Sequence, residues 1–117
     1  MHPRTYFLDI DGTLLEHLKD FEKITTTENI RALHGAKEKT GKWHCEGHTI
    51  IITTARSESM RGITERQLQN AGIVYDQLIM GLSAGVRVLV NDYEWGGEYK
   101  AKAYNVLRNK DGLFDVD

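Results

Sequence analysis

The feature that most constrains this chain is an apolar run ending in two carboxylates, Tyr6-Phe7-Leu8-Asp9-Ile10-Asp11, followed by Gly12-Thr13-Leu14. The run reads as a buried strand, which puts the carboxylates at its C-terminal tip. Side chains alternate along a strand, so Asp9 and Asp11 are expected on the same side. Open α/β sheets bind ligands at that end of their strands. Gly12 permits a sharp turn and a close approach of backbone N–H groups to a ligand. Two acids beside free N–H groups suit a hard cation and a phosphate. One carboxylate can attack phosphorus. The other can protonate the leaving oxygen and later activate water. Mg²⁺, which takes carboxylate and carbonyl oxygens, would offset the paired negative charge. A bare pair of acids after a strand more often marks a simple turn, but here the apolar approach and the Gly-Thr-Leu exit accompany it. A calcium loop does not fit, because Gly12 stands fourth from Asp9 where an EF-hand needs its glycine sixth.

A second apolar strand, Thr49 to Thr53, ends in Thr54-Ala55-Arg56-Ser57 and opens a helix over about Glu58 to Asn70. A phosphate there would meet a hydroxyl, a helix N-terminus and a guanidinium fork. Taken alone, Thr54 and Ser57 would be read as helix caps. A further apolar run, Val86 to Val90, predicts a fourth strand ending in Asn91-Asp92. Asp92 would be a third carboxylate at the same sheet edge, as a Mg²⁺ site requires. Arg87, at the start of that run, reads equally as a phosphate partner and as a solvated charge.

Elsewhere the pattern is organisational. Thr27 is a plausible N-cap for a helix carrying Ile30, Leu33, Ala36, Thr40 and Trp43 on one face, with Gly47 ending it. Glu16, His17, Lys19 and Asp20 fall in a polar stretch with no clear period, where they read as site mouth or as solvated loop. Gln77 to Met80 reads as a short strand, either a hairpin partner or an edge. Ala103 to Leu107 reads as a final strand, and Asp111 to Asp117 as a frayed acidic tail. Gly35 to Lys42 fails as a phosphate-binding P-loop because the spacing is wrong and no strand precedes it. His44, Cys45 and His48 fail as a zinc site for want of a second cysteine pair.

Bulk properties narrow the classes. The 117 residues suffice for one small domain, taken as 1–117. The net charge of −2 argues against a general nucleic-acid binder. Cys45 is the one cysteine, which precludes an internal disulfide and fits a reducing cytoplasm. No apolar run approaches bilayer length, so no membrane association is expected.

The strand ends, in this order, resemble the signatures of the haloacid dehalogenase superfamily of phosphohydrolases. Asp9-Ile10-Asp11-Gly12-Thr13 is similar to the first signature. Thr54-Ala55-Arg56 is similar to the second, with Ala55 where glycine is usual and Thr53 as a one-residue register alternative. Asn91-Asp92 is similar to the fourth. The resemblance implies Asp9 as nucleophile and Asp11 as general acid/base. It implies metal binding by Asp9, Asp92 and the Asp11 main-chain carbonyl, and phosphate binding by Gly12, Thr54, Ala55, Arg56 and Arg87. The lysine of the third signature has no counterpart, since none lies between Lys42 and Lys100, and Arg87 is the nearest cation.

The implied fold is α/β, a Rossmann-like three-layer sandwich around a mainly parallel sheet, without a cap domain. Such a site is open, so it takes a large substrate or borrows a lid from a neighbouring subunit of a homo-oligomer. The expected function is a Mg²⁺-dependent phosphomonoesterase acting on a phosphosugar or another small phosphorylated metabolite. The alternatives are a polynucleotide-end phosphatase, with nucleic acid allowed but not favoured, and a binding-only protein for a phosphorylated ligand. A receiver-type signalling domain fits less well, because Thr49 to Thr53 carries no Asp.

Overall fold

Three short strands are held in parallel by the crossovers between them. The computed structural model describes residues 2–117. Strand β1 (Thr5–Leu8) is followed by helix α1 (Phe21–Thr26), helix α2 (Ala36–Cys45) and strand β2 (Thr49–Thr53). A 3₁₀ turn at Glu58–Met60 then leads into helix α3 (Arg61–Asn70) and strand β3 (Gln77–Ile79). The sheet order is β1-β2-β3, all parallel, with Tyr6 beside Ile50 and Leu8 beside Ile52, which in turn sits beside Leu78. Gln77 to Ile79 is therefore a parallel edge strand, not half of a hairpin.

Alternation along the strands separates two faces. Tyr6, Leu8, Ile50, Ile52 and Leu78 share one face and join Ala36 and Trp43 of α2 and Leu68 of α3 in the core. Two right-handed crossovers that step the same way along a sheet place both helices on that face. The other face keeps Phe7 and Ile79 exposed. The α/β class and the parallel sheet match expectation. The predicted strand Val86–Val90 is irregular and open to solvent, with Val86 90% and Val90 87% accessible, and Ala103–Leu107 is likewise not a strand.

Two helix boundaries differ from the sequence reading, and the backbone shows why. Thr27 is the C-cap of α1, whose N-cap is Asp20, the carboxylate accepting from the Glu22 N–H. Residues 28–35 do not join the helix because they are tied to the motif loop. Glu16 N–H donates to Arg31, Leu33 N–H donates to Leu14, and Leu15 bridges Ala32. Helix α2 starts only after this tie, at Gly35, and ends as expected at Gly47. Among the described residues no helix is long and apolar enough to cross a membrane.

The tail is not frayed. Leu113 and Val116 are core residues, Leu113 N–H donates to His34, and Lys39 donates to the carbonyls of Phe114 and Val116. Tyr6 stacks on Trp43 at 3.8 Å between ring centres, and its hydroxyl donates to the Asp117 carbonyl. Gly112 permits this close return, since at φ +53° a Cβ would overlap the His34 main chain. Gly112→Ala should therefore lower unfolding stability by about 2 kcal/mol or more, read as a fall in the urea midpoint.

Candidate active site

The site is built where β1 runs out. Ile10 is fully buried, and its carbonyl accepts the N–H groups of Thr13, Leu14 and Leu15, at 2.9–3.1 Å. That folds the motif into a tight loop, with Gly12 at φ +87° and its own N–H donating to Leu15. The sequence reading put Gly12 and free turn N–H groups on a phosphate. The structure corrects this, because closing the loop uses the N–H groups of residues 12–15 internally. The loop is also braced from the far end of the chain. Asn109 N–H donates to the Gly12 carbonyl, its side chain makes two hydrogen bonds with the His17 main chain, and Arg108 packs on Gly12.

Asp9 and Asp11 have different environments. Asp9 is accessible, and its carboxylate accepts from the Thr13 hydroxyl at 3.4 Å. Partial burial pushes the Asp9 carboxyl above its ordinary pKa, and the negative charge of Asp11 adds to the rise. The Ile10 N–H, Arg87 and Thr13 act the other way. Asp11 is instead gripped by Arg56. The guanidinium donates from Nε to Oδ2 at 2.9 Å and from Nη2 to Oδ1 at 2.7 Å. Its remaining nitrogen donates to Thr64 at 3.0 Å and to the Gln67 carbonyl oxygen at 2.5 Å. Arg56 is 7% exposed. The sequence reading put Arg56 on the phosphate; in the structure its fork is engaged with Asp11.

The other candidate residues divide between near and far. Thr54 is buried, and its hydroxyl accepts from the Arg56 N–H at 3.1 Å, leaving its own proton to donate. Ala55, with Asp11, His17, Phe21, Ile24 and Met60, lines a cleft of ≈ 390 Å³ beside the motif loop. Arg87 lies close enough for its charge to act on Asp9, although it comes from an irregular segment and binds the carbonyls of Ser83 and Gly85. Asp92 is exposed in the same segment. Among the described residues no three His, Cys, Asp or Glu side chains converge on a metal, so the expected grouping of Asp9, Asp11 and Asp92 is not assembled. Two donors do fit a hard cation, namely the Asp9 carboxylate and the Asp11 carbonyl, which accepts no hydrogen bond among the described residues.

The sequence reading missed the weight of Thr64 and Gln67. Gln67 stands on the core-facing side of α3, and a buried amide requires partners. Its Nε2 donates to the carbonyls of Ile24 and Thr27, tying α3 to α1. A larger cavity, ≈ 730 Å³, opens beside Trp43, Lys42 and Asp117, away from all of these residues.

A family model described as haloacid dehalogenase-like hydrolase matches residues 6–93. No curated protein matches the sequence significantly. Among solved structures, a chain of the Pnkp1/Rnl/Hen1 RNA repair complex is 27% identical with a TM-score of 0.59, over 73% of this chain and 28% of that one. The chain therefore spans less than a third of that protein. A structural target from Vibrio cholerae is 20% identical with a TM-score of 0.53, over 76% of this chain and 79% of that one. D,D-heptose 1,7-bisphosphate phosphatase from B. bronchiseptica, complexed with magnesium and phosphate, is 19% identical with a TM-score of 0.50. That match covers 66% of this chain and 49% of the phosphatase.

In metal-free protein, the Asp9 carboxyl should titrate above the ordinary aspartate value of about 3.9. Arg87→Ala removes a charge that favours ionisation and should raise the midpoint further, as followed by carboxyl carbon NMR.

Proposed function

The chain belongs to the haloacid dehalogenase-like hydrolases, and from that membership we propose a Mg²⁺-dependent phosphomonoesterase acting through an aspartyl-phosphate on Asp9. The observation that carries the reading is the unequal pairing of the two carboxylates. Asp9 is accessible and free of a cation at hydrogen-bond distance, as a nucleophile must be. Asp11 is held in one orientation by a two-pronged guanidinium, as a proton-transfer group must be.

The steps follow from these roles. An Asp9 oxygen attacks phosphorus, the bond from phosphorus to the leaving oxygen breaks, and protonated Asp11 gives that oxygen its proton. An alcohol leaves and Asp9 carries the phosphoryl group. Asp11, now a carboxylate, takes a proton from water as the water oxygen attacks phosphorus. The bond to Asp9 breaks, phosphate departs, and both acids return to their starting forms. The Thr54 hydroxyl proton and Arg87 are the groups of this chain that would meet the phosphate charge. Mg²⁺ held by the Asp9 carboxylate and the Asp11 carbonyl would neutralise negative charge between nucleophile and phosphate.

The substrate class favoured is a small phosphorylated metabolite such as a phosphosugar, and the cleft beside Asp11 supports it. Its volume of ≈ 390 Å³ lies in the range of small-molecule sites. The net charge of −2 gives a long polyanion no general attraction. The single thiol of Cys45 suits a cytoplasmic setting. A second reading, a polynucleotide-end phosphatase, is compatible with the likeness to the RNA repair protein. It requires release of phosphate from an end-phosphorylated oligonucleotide that weakens steeply with salt.

The deciding experiment is release of phosphate from p-nitrophenyl phosphate. Wild-type protein with Mg²⁺ should turn over, EDTA should stop it, and Asp9→Asn should lower the rate at least about 1,000-fold while the protein stays folded. Turnover retained in Asp9→Asn removes the aspartyl-phosphate mechanism.

A further inference from the structure

The geometry points to Arg56 as a positioning residue for Asp11, backed by Thr64 and Gln67, with Gln67 linking the pair to the α1 side of the cleft. The inference rests on the phosphomonoesterase reading and adds a set of residues that act through Asp11 and not on phosphate. Three observations carry it. First, Arg56 meets Asp11 through both oxygens, at 2.9 Å and 2.7 Å, a two-point contact that fixes both the plane and the direction of the carboxylate. Each oxygen accepts one guanidinium bond and keeps a second lone-pair direction open to a proton.

Second, the guanidinium is itself held from behind. Its Nη1 donates to the Thr64 hydroxyl and to Gln67 Oε1, and both residues are fully buried. A surface ion pair would let Asp11 swing, whereas this one is anchored on successive turns of α3. Third, the free end of the Gln67 amide donates to the Ile24 and Thr27 carbonyls at 2.7 Å and 2.8 Å. Ile24 and Phe21 border the same cleft as Asp11. The chain Asp11–Arg56–Gln67–α1 thus fixes the proton-transfer group relative to the surface that faces the leaving group.

A poorly placed acid harms reactions in proportion to how much the leaving oxygen needs its proton. Phenyl phosphate needs it more than p-nitrophenyl phosphate, whose leaving group departs as a stable anion, and the two have nearly the same shape. The reading is kcat/KM for both esters, which covers binding and the first phosphoryl transfer and excludes hydrolysis of the aspartyl-phosphate. Arg56→Lys keeps the charge and removes the fork, and it should lower phenyl phosphate about 10-fold more than p-nitrophenyl phosphate. Thr64→Val keeps the shape and removes one bond behind the guanidinium, and it should move the ratio the same way by about 3-fold.

Thermal unfolding shows whether each variant is folded. If Arg56→Lys does not fold, Thr64→Val decides. Equal losses on the two esters, or an unchanged ratio in a folded variant, overturn the inference and leave Arg56 as a structural ion pair. A wild type inert on both esters defeats the phosphomonoesterase reading itself, which is a separate outcome.

Discussion

A buried guanidinium dictates the arrangement of this site. Taking a charge out of water costs several kcal/mol unless partners replace the lost hydration. Arg56 finds those partners in three places: Asp11 at the end of β1, and Thr64 and Gln67 on α3. Gln67 then extends the demand to α1, whose last carbonyls it satisfies. The motif loop, the segment after β2, α3 and α1 are thereby positioned by one charge. Removing any member leaves a buried polar group without a partner, which is a stronger constraint than apolar packing of the same elements would impose.

The motif loop shows a second constraint, the complete use of backbone hydrogen bonds. One carbonyl, that of Ile10, receives three N–H groups, and Gly12 closes on Leu15. The loop is rigid because of this and needs Gly12 to form. The same economy removes the donors that a turn of this kind was expected to offer a phosphate. The C-terminal turn completes the arrangement. Asn109, itself at φ 62°, binds both the Gly12 carbonyl and the main chain of His17, and Leu113 and Val116 fix that turn in the core. Residues 109–116 thus support a site more than ninety positions away in sequence.

What could be read from the sequence follows from how local each signal is. The strands Thr5–Leu8 and Thr49–Thr53, the helix ending at Gly47 and the one ending near Asn70 were legible, because apolar runs and positive-φ glycines are local. The two carboxylates at a strand tip were legible for the same reason. The start of α2 was not, since a long-range tie between Leu14 and Leu33 overrides the helical pattern there. The role of Arg56 was not legible either. A cation beside a phosphate motif reads as a phosphate ligand until its distance to Asp11 is known. Val86 to Val90 illustrates the opposite error, where composition predicts a strand and no partner strand meets it.

The charge balance at the strand tip explains why the remaining cations matter. Asp9 brings one negative charge, Asp11 a second whenever it is ionised, and a phosphomonoester would bring up to two more. Arg56 engages both oxygens of Asp11, so it offsets Asp11 first. Arg87 acts on Asp9 with opposite charge, and it does so from an exposed segment where solvent weakens it. No lysine lies between Lys42 and Lys100 to add a second positive charge from the strands around the site. An anion approaching Asp9 therefore meets a deficit that the protein's own side chains do not fill. The divalent cation proposed for the Asp9 carboxylate and the Asp11 carbonyl, which accepts no hydrogen bond among the described residues, would answer that deficit.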